Sequence, residues 1–173
     1  MGFIEDLGSF LEMYLGDPVV YVLILFIFSI LVAVILPIPI EIWIFWPTPV
    51  PVAIRALVLG AGKGVGSLAV FALGMKLETF IRRWSKYKWF RWFLEKSERF
   101  VAKYGYFALF ILLSIPFMTD TIPLYLFSIF NKDGKAMNWK IFFVVNFLAG
   151  VTRVGILWLA GIALGIDWAA QVF

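Results

Sequence analysis

Two apolar stretches, each broken by prolines around a single acid, constrain this chain more than any other feature. The first spans residues 19–75 and carries Pro37, Pro39 and Glu41 at its break, with Arg55 and Lys63 in the glycine-bearing segment beyond. The second spans residues 105–165, with Pro116, Asp120 and Pro123 at its break and Arg153 beyond. Proline removes a backbone donor, and its ring blocks a continuous helix. In hydrocarbon, the freed backbone groups survive only where protein or a water-filled cavity meets them. An ionised side chain there is costly enough to point to function by default. Two such interruptions in corresponding places are a sequence pointer to a transporter's site.

The surrounding composition is that of a membrane protein. Hydrophobic residues make up 63% of the chain and mean hydropathy is +0.97, against an apolar share of about 45–50% in soluble domains. Residues 19–36 are eighteen uncharged residues, near the lower length limit for a span. Residues 141–165 are interrupted only by Asn146, Thr152 and Arg153. The expected fold is an all-α integral membrane domain over residues 1–173. Cys and His are both absent, which removes thiolate metal sites, imidazole bases and histidine haem ligands. No cofactor, metal or enzymatic role is expected.

The chain divides into five parts. Residues 1–18 open with Glu5, Asp6, Glu12 and Asp17 rather than cations, so they do not read as a signal peptide. Phe3, Leu7, Phe10, Leu11, Tyr14 and Leu15 recur at helical spacing, which predicts a short interfacial helix. Asp17 and Pro18 suit the cap and first position of the next helix. Residues 19–75 form the first broken unit. Its initial run either spans fully or makes one arm of a hairpin, and the sequence leaves both open. Gly60, Gly62, Gly64, Gly66 and Gly74 lie in the helix that follows; small residues let membrane helices approach closely, so this helix is expected to be packed tightly against a hairpin rather than facing lipid.

Residues 76–104 change character, with nine cations, three acids and interleaved aromatics. One or two basic amphipathic helices in the headgroup region are expected, and nucleic-acid binding is not. Residues 105–165 form the second broken unit. Its arms between Tyr106 and Phe130 hold roughly ten residues each, or about 15 Å if helical. A re-entrant hairpin fits better than two crossings. Asn138 is placed to cap the helix that starts at Trp139, and residues 166–173 form a tail. Lysine and arginine mark the cytoplasmic side, which puts residues 76–104 and 131–138 on the cytoplasmic face of a multi-pass protein of the cell membrane.

Each charged candidate has two readings. Glu41 is a proton-titrating or cation-binding carboxylate, or the partner of Arg55 or Lys63. Asp120 plays the same part in the second unit, or accepts backbone N–H groups as a hairpin cap. Arg55 either reaches a site or snorkels to the headgroups. Lys63 and Arg153 lie deep in their helices, and Asn146 is either a ligand contact or interhelical glue. The five charges sum to +1, which suits an anion, and an arginine fork matches phosphate oxygens. GAGKGVGS lacks the Lys-Ser/Thr ending of a nucleotide-binding loop.

Four stretches carry a family resemblance: LPIPIE, LGAGKGVGSLAVFALGMKLE, KYGYFALFILLSIPFMTDTIPLYLF and NWKIFFVVNFLAGVTR. In this order, across residues 36–158, they resemble the DedA/VTT (SNARE-associated Golgi protein) family, most closely its small archaeal-type members. The resemblance implies two opposed re-entrant hairpins in an inverted repeat, each followed by a transmembrane helix. It also implies a flippase or scramblase that moves a phospholipid or polyprenyl phosphate between leaflets, with protons as coupling ions. Glu41 then takes the place of the first-hairpin acid, and Pro116 falls at the second hairpin. Gly60, Gly74, Asn146 and Gly150 match positions in the long helices. The chain departs from bacterial members by having Asp120 and no arginine in the second hairpin, and Lys63 where an acid is frequent. A coupled small-solute transporter and a non-transporting membrane assembly protein, alone or oligomeric, are the rival expectations.

Overall fold

A computed structural model describes residues 17–36, 44, 48–83, 88–131 and 137–165. Pro37, Pro39, Glu41, the expected helix at residues 3–15 and the tail at 166–173 lie outside the described residues. Within them the protein is all-helical. Its five helices are α1 (Pro18–Val34), α2 (Val52–Arg83), α3 (Lys88–Ser114), α4 (Thr121–Ile129) and α5 (Trp139–Ala163). Val52–Gly74 of α2 and Trp139–Ala163 of α5 are long and apolar enough to cross a membrane.

Helix α1 begins as its first residues dictate. The Asp17 carboxylate accepts from the backbone of Val19 and Val20 at 2.8 and 3.2 Å, and Pro18 fills the position where a missing N–H costs nothing. Its inner face presents Tyr21, Leu25, Ser29, Val32 and Ala33. Its outer face presents Val19, Leu23, Ile27, Leu31 and Ile35, all exposed. A helix that is apolar on both faces has no side suited to water.

The glycines of α2 turn it into the central helix. Gly60 meets the Phe147 carbonyl of α5, with 2.8 Å from an ideal Cβ to that oxygen, and Gly64 meets the Phe143 ring at 2.7 Å. Two residues round the helix, Gly62 faces the Phe26 carbonyl of α1 at 2.7 Å and Gly66 faces Ala33 at the same distance. Gly74 abuts Ser128 of α4. Helix α2 is therefore closely packed, against α1, α4 and α5, while Ile54, Leu57, Val65 and Leu73 leave it an exposed apolar side as well. The serines buried in these seams cost little, because Ser29, Ser67, Ser114 and Ser128 each donate to a carbonyl of their own helix.

The basic stretch does not make helices of its own. Helix α2 continues past Gly74 to Arg83, and α3 runs unbroken from Lys88 through the 104/105 position to Ser114. A change from apolar to charged residues leaves a helix intact, since its hydrogen bonds lie within the backbone and Lys, Arg, Glu and Leu are all good helix formers. The break comes instead at residues 115–120, where Pro116 lacks a donor and Phe117 adopts φ of 61°. Helix α4 then returns for nine residues. Pro123 lies in its first turn, where proline is tolerated. Asn131 closes the next connection by exchanging two hydrogen bonds with the Met137 backbone, and the Asn138 carboxamide caps α5 through the Lys140 N–H.

Candidate functional site: a buried ion triad

The deepest polar feature is built from one residue each of α2 and α5 and one from the break before α4. Lys63 lies eleven residues into α2 and Arg153 fourteen into α5, or roughly 16 and 21 Å along their axes. Asp120 immediately precedes α4. One carboxylate oxygen, Oδ1, accepts from Arg153 Nη2 at 2.8 Å, and Oδ2 lies 2.9 Å from Lys63 Nζ. All three side chains are fully buried. The arginine contact is an aligned hydrogen bond. The lysine contact is as close but is not aligned as one, so Asp120 holds Lys63 less directionally than it holds Arg153.

Asp120 occupies the cap position of α4, yet its side chain makes no capping bond. The hairpin-cap reading is thereby corrected: two cations in an apolar interior attract the carboxylate more strongly than neutral N–H groups do. Arg153 also donates from Nε to the Leu113 carbonyl at 2.9 Å, one of the acceptors that the end of α3 leaves without an intrahelical partner. The Thr121 hydroxyl lies 2.9 Å from the Val32 carbonyl and 3.3 Å from that of Leu36. The 113–121 turn therefore touches α1, α2 and α5 through polar contacts.

The other candidates are placed elsewhere. Arg55 is buried but serves the proline-rich arm before α2. Its Nε, Nη1 and Nη2 donate to the carbonyls of Val50, Ile44 and Thr48 at 2.7, 2.8 and 2.9 Å, and its guanidinium lies over the Tyr21 ring. It neither snorkels nor joins the triad, which begins eight residues further along α2, about 12 Å away. Asn146 faces inward two turns before Arg153. Its amide donates to the Phe142 carbonyl of its own helix, while its buried Oδ1 has no hydrogen-bond partner among the described residues. Pro116 and Pro123 bracket the turn that carries Asp120. Thr121 and the Leu113 carbonyl were not singled out from the sequence; the position of Thr121 directly after the acid, opening an apolar arm, was the available signal.

The formal charges of Lys63, Asp120 and Arg153 sum to +1. Removing the shared carboxylate from such a buried set costs about 3–5 kcal/mol, because both cations lose the countercharge it supplies. Among the described residues no group of three or more metal-ligating side chains occurs. The arrangement is suited to exchanging one anion for another on a fixed pair of cations. Fold and site together define an all-helical protein with two membrane-length helices closed around a net-positive ion triad. No protein-family model, curated protein or solved structure matches the chain.

Proposed function

We propose that this protein is a multi-pass membrane lipid translocator, a flippase or scramblase of the DedA/VTT type, moving a phospholipid or polyprenyl phosphate between leaflets. The carrying observation is the fully buried Lys63–Asp120–Arg153 triad with its single excess positive charge. In this reading residues 19–75 and 105–165 are two inverted units, each a re-entrant hairpin followed by a spanning helix. The contact of Thr121 with the Val32 and Leu36 carbonyls supports a meeting of the two breaks. Residues 76–104 and 131–138 face the cytoplasm. A lipid phosphate entering the bundle displaces the Asp120 carboxylate, first from the unaligned Lys63 and then from Arg153. Asp120, assisted by Glu41, takes up a proton or a cation while the phosphate occupies its place. Arg55 holds the arm in register and does not touch the phosphate.

The test is movement of labelled phospholipid or polyprenyl phosphate in liposomes containing the purified chain, with and without a pH gradient. Acceleration over empty vesicles that Lys63→Met and Arg153→Gln remove supports the proposal; no acceleration in either condition overturns it. Complete burial of the triad favours one rival, a non-transporting membrane protein in which the same ions only lock the helices together. That reading requires every triad variant to alter stability while lipid movement stays at background throughout.

A further inference from the structure

The outer face of α3 changes in chemistry along its length. Trp92, Lys96, Phe100 and Tyr104 follow one another at four-residue spacing, then Phe107 and Ile111 continue the line, and all are exposed. Its lower end is purely apolar. Its upper end alternates aromatic rings with cations: Lys96 Nζ sits 4.8 Å from the Trp92 ring centre, and Lys103 Nζ sits 5.1 Å from that of Tyr104. A third such pair, Lys140 over Trp139 at 5.5 Å, opens α5. The Tyr106 hydroxyl accepts from the Asn138 N–H and Gly105 abuts Met137, so the second and third pairs lie at one level. That level is also where α2 passes Gly74, since Gly74 meets Ser128 near the end of α4.

Because α3 is continuous, its basic half cannot lie apart from its apolar half. From Lys88 to Lys103 it carries Lys88, Arg91, Lys96, Arg99 and Lys103 against Glu95 and Glu98, a net charge of +3. Trp92, Glu95, Lys96 and Arg99 line a shallow groove of about 260 Å³. Tryptophan and tyrosine favour the boundary between hydrocarbon and water, and cations beside them attract anionic headgroups by about 1 kcal/mol each. An acidic soluble partner would account for the charge but not for the apolar continuation through Phe107 and Ile111.

We infer that this face of α3, continued by Trp139 and Lys140, is a docking surface for the headgroups of anionic phospholipids. The Lys103–Tyr104 and Lys140–Trp139 pairs mark the inner edge of the headgroup layer, and the Trp92–Lys96 pair, about two to three turns further along α3, borders the groove at Trp92–Arg99 that receives a lipid phosphate. This rests on the membrane location argued above but not on transport, so an inactive liposome assay leaves it standing.

The chain has no cysteine, so a single label can be placed cleanly by Glu95→Cys. The full chain carrying a fluorophore there is put into nanodiscs of phosphatidylcholine, with or without phosphatidylglycerol, and quenched with aqueous iodide. Phosphatidylglycerol should reduce quenching several-fold, high salt should reverse that protection, and Lys96→Gln/Arg99→Gln/Lys103→Gln should abolish it with unfolding temperature unchanged. Equal quenching in both lipids, or protection indifferent to salt and to the triple substitution, overturns the inference. So does protection that appears only on adding polyglutamate as an acidic polypeptide.

Discussion

Asp120 is the only acid in contact with either triad cation among the described residues, so the triad's members are unequal. Asp120→Asn takes from the buried Lys63 and Arg153 the carboxylate they share, and should destabilise the protein by about 3–5 kcal/mol. Lys63→Met instead leaves a neutral Asp120–Arg153 pair with its aligned bond intact, and should cost no more than about 2 kcal/mol while removing lipid movement. Denaturation of the two variants in the same detergent measures the difference, and a larger loss for Lys63→Met would refute this ordering. Arg55 makes the complementary case. Arg55→Lys keeps the charge but cannot reproduce a fork shared among three carbonyls, and should cost about 3 kcal/mol or more by leaving buried acceptors unpaired. Lipid movement per folded molecule should be unchanged, because the phosphate never reaches it.

At the scale of the elements, glycine packing gives two substitutions of opposite sign. A methyl at Gly74 would collide with Ser128, whereas nothing lies within 4 Å of one added at Gly155. Gly74→Ala should therefore destabilise by about 1–3 kcal/mol through overpacking. Gly155→Ala should stabilise by up to about 1 kcal/mol, the ordinary helical preference of alanine. Thermal unfolding of both decides it, and a shared sign would mean that these contacts do not set the helix spacing. Much of this level was legible in the residues. Asp17-Pro18 and Asn138 announced their helix starts, the glycines announced a packed helix, and Pro116 announced the break. Depth along a helix identified Lys63 and Arg153. The continuity of α3 was not legible, because hydropathy changes at residue 104 while helix propensity does not. Nor was the sharing of one carboxylate between cations 57 and 33 positions away in the chain, since such a pairing belongs to the folded contacts. Arg55 was ambiguous for a different reason: its acceptors are carbonyls, which no side-chain pattern reveals.

For the molecule as a whole, the question is which part moves when an anion enters a closed triad. Helices α1, α2 and α5 are joined by glycine seams that bring backbone against backbone, and such contacts do not slide without collision. The α3–α4 unit is attached differently. Buried apolar side chains such as Leu109 and Phe127, in one cluster with Phe71 of α2 and Phe142 of α5, hold it, with the Gly74–Ser128 contact at one end. At the other end stand the triad, the Arg153 bond to Leu113 and the Thr121 hydroxyl between the Val32 and Leu36 carbonyls. Releasing Asp120 loosens that second end while the first still holds, so the 113–121 turn should swing away from α1 with the Ser128 end as pivot. A disulfide between Val32→Cys and Thr121→Cys bridges the parting surfaces, and no native cysteine competes with it. Under oxidation the double variant should lose lipid movement in liposomes, and a reductant should restore it to the level of the reduced protein. Parental rates with the crosslink fully formed would mean that the turn stays fixed against α1, and the anion would then have to reach Lys63 by a route that leaves this contact closed.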